Sequence, residues 1–412
     1  MRRFLKVIIP ATAAGLLATA LPAGAASAAP TVPGPLFGQH VASIASGAPS
    51  GLKLGAVRIW DSGVSWRDLE PEQGKINLDP LKAAVANAQK AGATEIMYTL
   101  GNTPLWAASV KNSPLALYGP GSNSHPANNA DYTNFLKAVA TGVPGITAFQ
   151  VWNEANLKDF YLGTPAQMAQ LTKDARAALN SVGSGAALVA ASTTVRAKGP
   201  VGKFGKAYGA AMRKAGAWGA VNAVSAHFYP PAKEGPATRV RYIKTVKKYY
   251  KRYGAGRKPL WDTEMNYGDM RKYMKVKRQY TGATAATYVA RTYIDSMRYG
   301  VYRVFWYGWD INVLGTDMTS GGNLTSGGKA FLEIQDWMVG KTWLGCKVKS
   351  SITTCTLRAP NGQKQTIRYA AKAKSFTVPA GATELRKLDG TGGPGAGSKM
   401  TLTSQPVLVV GA

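Results

Sequence analysis

Ala148-Phe149-Gln150-Val151-Trp152-Asn153-Glu154 reads as a five-residue strand, Ala148 to Trp152, followed by an amide and an acid. Thr164-Pro165-Ala166-Gln167 follows after a short loop and has the form of a capping box with proline in the first helical turn. Met168, Leu171 and Ala175 then fall on one face of the predicted helix. Strand, acid-bearing loop and helix make one β/α unit.

The same unit recurs in both directions. Upstream, strands are predicted at Leu36 to Val41, Ala56 to Trp60 and Glu95 to Leu100. Downstream they are predicted at Ala187 to Ala191, Ala223 to Phe228, Pro259 to Thr263 and Tyr302 to Tyr307. Between them, Asp79 reads as an N-cap, Pro80 takes the first helical position, and Leu81, Ala84, Val85 and Ala88 form a stripe that Gly92 ends. Further helices are expected at about Val240 to Tyr253, Ala283 to Arg298 and Lys329 to Val339. Eight strands alternating with helices predict an α/β fold, a parallel (β/α)8 TIM barrel over 37–343. The rival, a doubly wound open sheet, normally places a glycine-rich phosphate loop after its first strand, and this chain has none there.

The two ends differ from this middle. Residues 1–28 open with the basic Met1-Arg2-Arg3-Phe4-Leu5-Lys6, continue through an apolar run from Val7 to Leu21, and end on Ala26-Ser27-Ala28. That pattern predicts a signal peptide and a secreted product. Arg2-Arg3 hints at twin-arginine export without its usual spacing. A membrane anchor would need a longer run, and no other segment is apolar enough to span a bilayer. Residues 29–36 read as a linker. After Trp343, short alternating strands separated by turns such as Pro360-Asn361-Gly362 predict a small all-β, sandwich-like domain over 344–412. Cys346 and Cys355 are the two cysteines. In an exported chain such a close pair reads as a disulfide stapling a hairpin, with a free buried pair as the alternative.

Charge and composition restrict the partners. The formal net charge is +29, and without Arg2, Arg3 and Lys6 it is +26. A field of that sign draws anions, so an anionic glycan, the cell envelope and nucleic acid all come into view. No motif with interleaved aromatics supports a specific nucleic-acid site. Three histidines, His40, His125 and His227, are too few and too scattered for a metal-dependent barrel hydrolase, so no metal and no cofactor is expected.

Chemistry is expected where barrel strands end. The fourth strand leads to Trp152-Asn153-Glu154 and the seventh to Trp261-Asp262-Thr263-Glu264. Two carboxyl groups from opposite walls of one mouth suit cleavage of a glycosidic bond, one as proton donor and one as nucleophile. At these residues the chain resembles glycoside hydrolase clan A, nearest to family 39 and its cellulase-like relatives. Trp66-Arg67-Asp68-Leu69-Glu70-Pro71-Glu72-Gln73-Gly74, His227-Phe228-Tyr229 and Trp306 are further points of resemblance; Asp262 departs from the commoner apolar or Thr residue.

The resemblance implies a retaining glycosidase with Glu154 as general acid/base and Glu264 as nucleophile. It further implies that Arg58 keeps Glu264 ionised by lowering its pKa while Glu154 stays protonated in a drier niche. Asn153 would bond the sugar 2-hydroxyl, Tyr229 would bond the nucleophile, and His227 would line the same subsite. Trp306 would be a stacking platform for a sugar, with Trp106 and Trp309 as weaker candidates. Arg271, Lys272, Lys275, Lys277 and Arg278, just past Glu264, are candidates to contact an acidic glycan, whereas the basic residues of the helix from Val240 read as a solvated face. A transglycosylase and a non-catalytic carbohydrate- or envelope-binding protein on the same barrel are the alternatives.

Overall fold

A computed structural model describes residues 29–195, 199–272 and 275–411. The predicted signal peptide lies outside them.

Eight parallel strands form one sheet: β1 (Phe37–Gln39), β2 (Ala56–Ile59), β3 (Glu95–Thr99), β4 (Ala148–Gln150), β5 (Ala187–Val189), β6 (Val224–His227), β7 (Leu260–Met265) and β8 (Val301–Trp306). β1 pairs with both β2 and β8, and single bridges Val189–Ala223 and Thr194–His227 bring β5 against β6, so the sheet closes on itself. The helices are α1 (Trp66–Leu69), α2 (Asp79–Lys90), α3 (Asn129–Gly142), α4 (Pro165–Ser181), α5 (Gly199–Lys214), α6 (Pro236–Arg252), α7 (Gly282–Tyr299) and α8 (Ser326–Met338). The expected (β/α)8 barrel is therefore the fold. The capping box of α4 forms as read, with Thr164 Oγ1 accepting from the Gln167 amide and Gln167 Oε1 accepting from that of Thr164. On α2 the cap is Leu78, and Asp79 is the first helical residue.

The barrel interior is layered. Ala56, Met97, Ala148, Val189, Ala223, Trp261 and Phe305 fill its floor with apolar side chains. Above them Arg58, Gln150, Ser225 and Thr263 form a hydrogen-bonded polar layer, with Gln150 at the centre: Oε1 accepts from Arg58, and Nε2 donates to both Ser225 and Thr263. Polar groups buried this deep are tolerated because each finds a partner, and this layer supports the mouth above it.

A short hairpin, β9 (Thr319–Ser320) and β10 (Asn323–Leu324), precedes α8. The C-terminal region has two antiparallel sheets. One contains β11 (Thr342–Lys349), β12 (Ile352–Arg358), β13 (Lys364–Ala370), β15 (Glu384–Arg386) and β17 (Val407–Val410); the other pairs β14 (Lys374–Thr377) with β16 (Lys399–Leu402). Phe376 and Leu402 from the small sheet pack with Ala370, Leu385 and Val409 from the large one, giving the expected sandwich. Cys346 and Cys355 face each other across the β11–β12 hairpin and are joined as a disulfide. Thr31 bridges Thr342, and backbone hydrogen bonds join Pro30 to Trp343 and Val32 to Gly340 and Lys341, so residues 30–32 are pinned at the start of β11.

Candidate active site

β2 ends Arg58-Ile59-Trp60-Asp61, β4 leads through Val151 to Glu154, β6 ends on His227, and β7 carries Glu264. All four face the mouth at the C-terminal ends of the strands. In β7, Asp262 pairs with Val304 and Met265 with Trp306, so Thr263 and Glu264 together oppose the single residue Phe305. Such a bulge re-aims a side chain. Here it lets Thr263 stay in the polar layer while Glu264 turns to the mouth.

Glu154 sits at φ +37°, a left-handed conformation for a residue with a Cβ. Strain of that kind costs about 1–3 kcal/mol and persists only where neighbours enforce it. Ser192 does so: its Oγ accepts from the Glu154 amide and its carbonyl from the Ala155 amide.

Glu264 is held at both oxygens. Arg58 Nη1 donates to Oε1 at 2.7 Å and Tyr229 Oη donates to Oε2 at 2.9 Å. The other arm of the Arg58 fork donates to Asn153 Oδ1 at 2.7 Å. His227 Nδ1 lies 2.9 Å from Glu154 Oε1 and 3.3 Å from Glu264 Oε2. One ring nitrogen thus stands between the two carboxyl groups, which bring oxygens within 4.8 Å of each other. Glu154, His227 and Glu264 could together offer three ligand atoms to a cation. The Arg58 guanidinium already supplies the positive charge beside Glu264.

Burial governs the protonation states. His227 is fully buried and its pKa is pushed down to about 3, so the ring is neutral near pH 7. Glu264 is raised above the usual carboxylate range by burial, with His227 and the Arg58 guanidinium opposing and the charges of Glu154 and Asp61 reinforcing. This corrects the expectation that Arg58 brings the Glu264 pKa below normal: loss of solvent outweighs the cation. Nor is Glu154 in a drier niche, since both carboxylates are buried to the same degree. Tyr229 is raised well above its ordinary value by burial and remains a donor.

The structure brings Arg58, Asn153, Glu154, His227, Tyr229 and Glu264 together and leaves the predicted tryptophans out. Trp306 is fully buried and packs against Tyr267, so it offers no face to a sugar. The next residue, Tyr307, lines the cleft instead. Trp106 donates to the Glu70 carbonyl and packs on Trp66, and Trp309 packs on Phe331. Glu70 is a clasp: its carboxylate accepts from Trp66 Nε1 and from the Gly74 amide, which explains the spacing of that motif without a role in the cleft. Of the basic residues after β7, Arg271 lines the cleft and is paired with Asp269, while Lys272, Lys275, Lys277 and Arg278 are exposed and line no part of it.

Sequence reasoning missed Asp61. It lies at the end of β2 with φ +60° and accepts hydroxyls from Tyr118 and Tyr307, one from each side of the cleft. Burial raises its pKa. An acid three residues beyond Arg58, itself expected in the site, was the available signal. The cleft these residues share has a volume of about 920 Å³; Leu115, Leu117 and Val313 stand exposed at its rim.

No protein-family model matches the chain, and no curated protein sequence matches it. Solved structures do. A family 39 glycoside hydrolase from the gut symbiont Bacteroides cellulosilyticus WH2 aligns with a TM-score of 0.67 at 17% identity, covering 92% of this chain and 81% of that one. A GH39 β-xylosidase from Caulobacter crescentus aligns at 0.64 and 15% identity, covering 94% and 98%. A GH30 endoxylanase from Clostridium papyrosolvens C71 aligns at 0.62 and 16% identity, covering 93% and 97%. Likeness at these identities establishes a shared fold, that of the clan A glycoside hydrolases.

Proposed function

We propose that this chain is a retaining glycoside hydrolase that works outside the cell. The observation that carries the reading is the carboxyl pair: oxygens of Glu154 and Glu264 within 4.8 Å of each other across one cleft. Retaining enzymes hold their carboxyl groups about 5–5.5 Å apart, whereas inverting enzymes need about 6.5–9.5 Å to admit a water.

In the first step the Glu264 carboxylate attacks the anomeric carbon as the bond to the leaving oxygen breaks, and Glu154 gives that oxygen its proton. In the second, Glu154 as carboxylate takes a proton from water, the water oxygen bonds to the anomeric carbon, and Glu264 is released. Arg58 and Tyr229 orient the nucleophile. Asn153 Oδ1 is committed to Arg58, while its buried Nδ2 has no acceptor among the described residues. A sugar 2-hydroxyl would satisfy that group, which supports the role expected of Asn153. The basic leader and apolar run of residues 1–28, together with a disulfide, support export.

The test separates the two carboxylates. Glu264→Ala should abolish turnover of every glycoside, with azide restoring some product of inverted configuration. Glu154→Ala should still release activated aryl leaving groups, which need little protonation, and azide should there give product of retained configuration. The opposite pattern would exchange the roles, and full activity in both variants would end the reading.

A further inference from the structure

Charge is divided unevenly along this chain. Residues 29–174 hold ten Lys and Arg and ten Asp and Glu. Residues 175–261 hold seventeen and one, the one being Glu234. The second stretch supplies β5, α5, β6, α6 and the entry to β7. On α6, Lys244, Lys247, Lys248 and Lys251 stand at i, i+3, i+4 and i+7, a spacing that puts them on one face, and all four are exposed. Like charges at this spacing destabilise a helix, so helix stability does not account for the row.

The row runs into a concave site. A cavity of about 340 Å³ is lined by Lys247, Lys248, Lys251, Arg257, Lys258 and Tyr302, where β6, β7 and β8 begin. It therefore lies on the face opposite the catalytic mouth. Lys247 Nζ donates to the Tyr299 carbonyl at 2.9 Å and Lys258 Nζ to the Val221 carbonyl at 2.6 Å, which fixes two of the cations in place. The ion pairs of α6, Arg239–Asp262 and Arg241–Glu234, use neither the row nor the pocket. Tyr302, 55% exposed, is the one aromatic residue among the exposed large apolar side chains of the described residues.

We infer that this pocket binds a segment of an acidic polysaccharide, as a second glycan site without catalytic function. The cations meet carboxylate or sulfate groups along the polymer, and the ring of Tyr302 takes the C–H face of one pyranose. Single-stranded nucleic acid fits less well, because its binding draws on several stacking rings along a groove. A polymer held on the floor of the barrel leaves the mouth open, so the site retains the protein on an acidic matrix. This assignment does not depend on the catalytic reading and stands or falls separately from it.

Binding to polygalacturonate at about 0.15 M salt, where exposed charges act over about 8 Å, tests it with the full chain. Lys248→Glu/Lys251→Glu/Arg257→Glu should weaken binding by roughly tenfold or more. Lys53→Glu/Lys90→Glu/Lys173→Glu changes the net charge equally at exposed positions in the balanced half and should weaken it by less than about twofold. Tyr302→Ser should weaken it at unchanged charge. Thermal melts report whether each variant is folded, and a Lys248→Gln/Lys251→Gln/Arg257→Gln variant serves if the reversed one is not. Equal losses in the two triple variants would overturn the site in favour of attraction by net charge alone. Tighter binding to duplex DNA or phosphatidylserine vesicles than to polygalacturonate, indifferent to Tyr302→Ser, would overturn the glycan assignment.

Discussion

Glu264 receives two donors suited to a carboxylate, Arg58 and Tyr229, yet burial keeps its pKa above the usual range. The proposed nucleophile must be ionised, so activity should fall as pH drops through that raised value, and the acid limb of kcat/KM should lie above pH 4.5, the ordinary glutamate value. Arg58→Met removes a cation that opposes the shift and should move the limb upward by about one unit or more. Arg58→Lys keeps the charge but loses the fork to Asn153, so the limb should move less while kcat still falls. A limb that stays put in Arg58→Met would show that the guanidinium orients Glu264 without influencing its ionisation. At this scale the sequence was legible in which strand-end side chains meet, as at Glu154, Glu264 and Tyr229. Trp306 was misread because a strand of period two reverses its facing with a shift of one residue. Tyr307, one position on, takes the cleft.

Among the elements, β7 does two jobs that ask for opposite facings. The bulge at Thr263–Glu264 turns Glu264 to the mouth, while Asp262 points outward to Arg239 of α6. Arg239 gives Nε and Nη2 to Asp262 Oδ2 and a further bond to Ser296 on α7, all buried. Asp262, the departure noted in the sequence, is thus a strut between strand and helix layer. Removing one partner of a buried pair leaves the other uncompensated, so Asp262→Asn should cost about 3–5 kcal/mol and lower the melting temperature by on the order of 10 °C. Asp262→Leu combined with Arg239→Met should recover most of the loss; a double variant as unstable as the single one would contradict that account. Three helices escaped sequence reading, the single-turn α1 among them. α5 runs through Gly199, Gly202, Gly205 and Gly209, residues of poor helix propensity. At Gly209 an added Cβ would fall 2.6 Å from the Tyr249 hydroxyl, so the glycine that weakens the local signal also admits α6. α3 was legible in principle: Asn128 caps it, Asp131 sits in its first turn, and Tyr132, Phe135, Leu136 and Val139 form an apolar stripe.

Over the whole molecule, the barrel and the β region meet through particular contacts. Arg386 bridges Glu333 and Asp336 on α8, and Arg291 of α7 lies over the ring of Tyr369. The disulfide is confined to the β11–β12 hairpin, away from the cleft. Cys346→Ser with Cys355→Ser should therefore lower stability by about 2 kcal/mol and leave kcat on a small glycoside unchanged; a loss of turnover at temperatures where the chain remains folded would link that hairpin to the mouth. Long-range architecture was legible in the alternation of strands and helices. The seating of residues 30–32 at the start of β11 was not, because so short a contact leaves no periodic trace. The scarcity of histidine has a spectroscopic consequence. Three imidazoles in the chain mean three sets of ring signals from a ¹⁵N-histidine-labelled sample, and one belongs to the ring that touches both carboxyl groups. On the proposed mechanism a slow glycoside traps Glu264 as an ester, so the charge 3.3 Å from His227 Nδ1 disappears while one forms on Glu154 at 2.9 Å. The His227 resonance should move and that of His125, hydrogen-bonded to Tyr161, should stay; equal movement of both would mean a global change instead. The protein thus carries its own label for the covalent intermediate that the proposed mechanism requires.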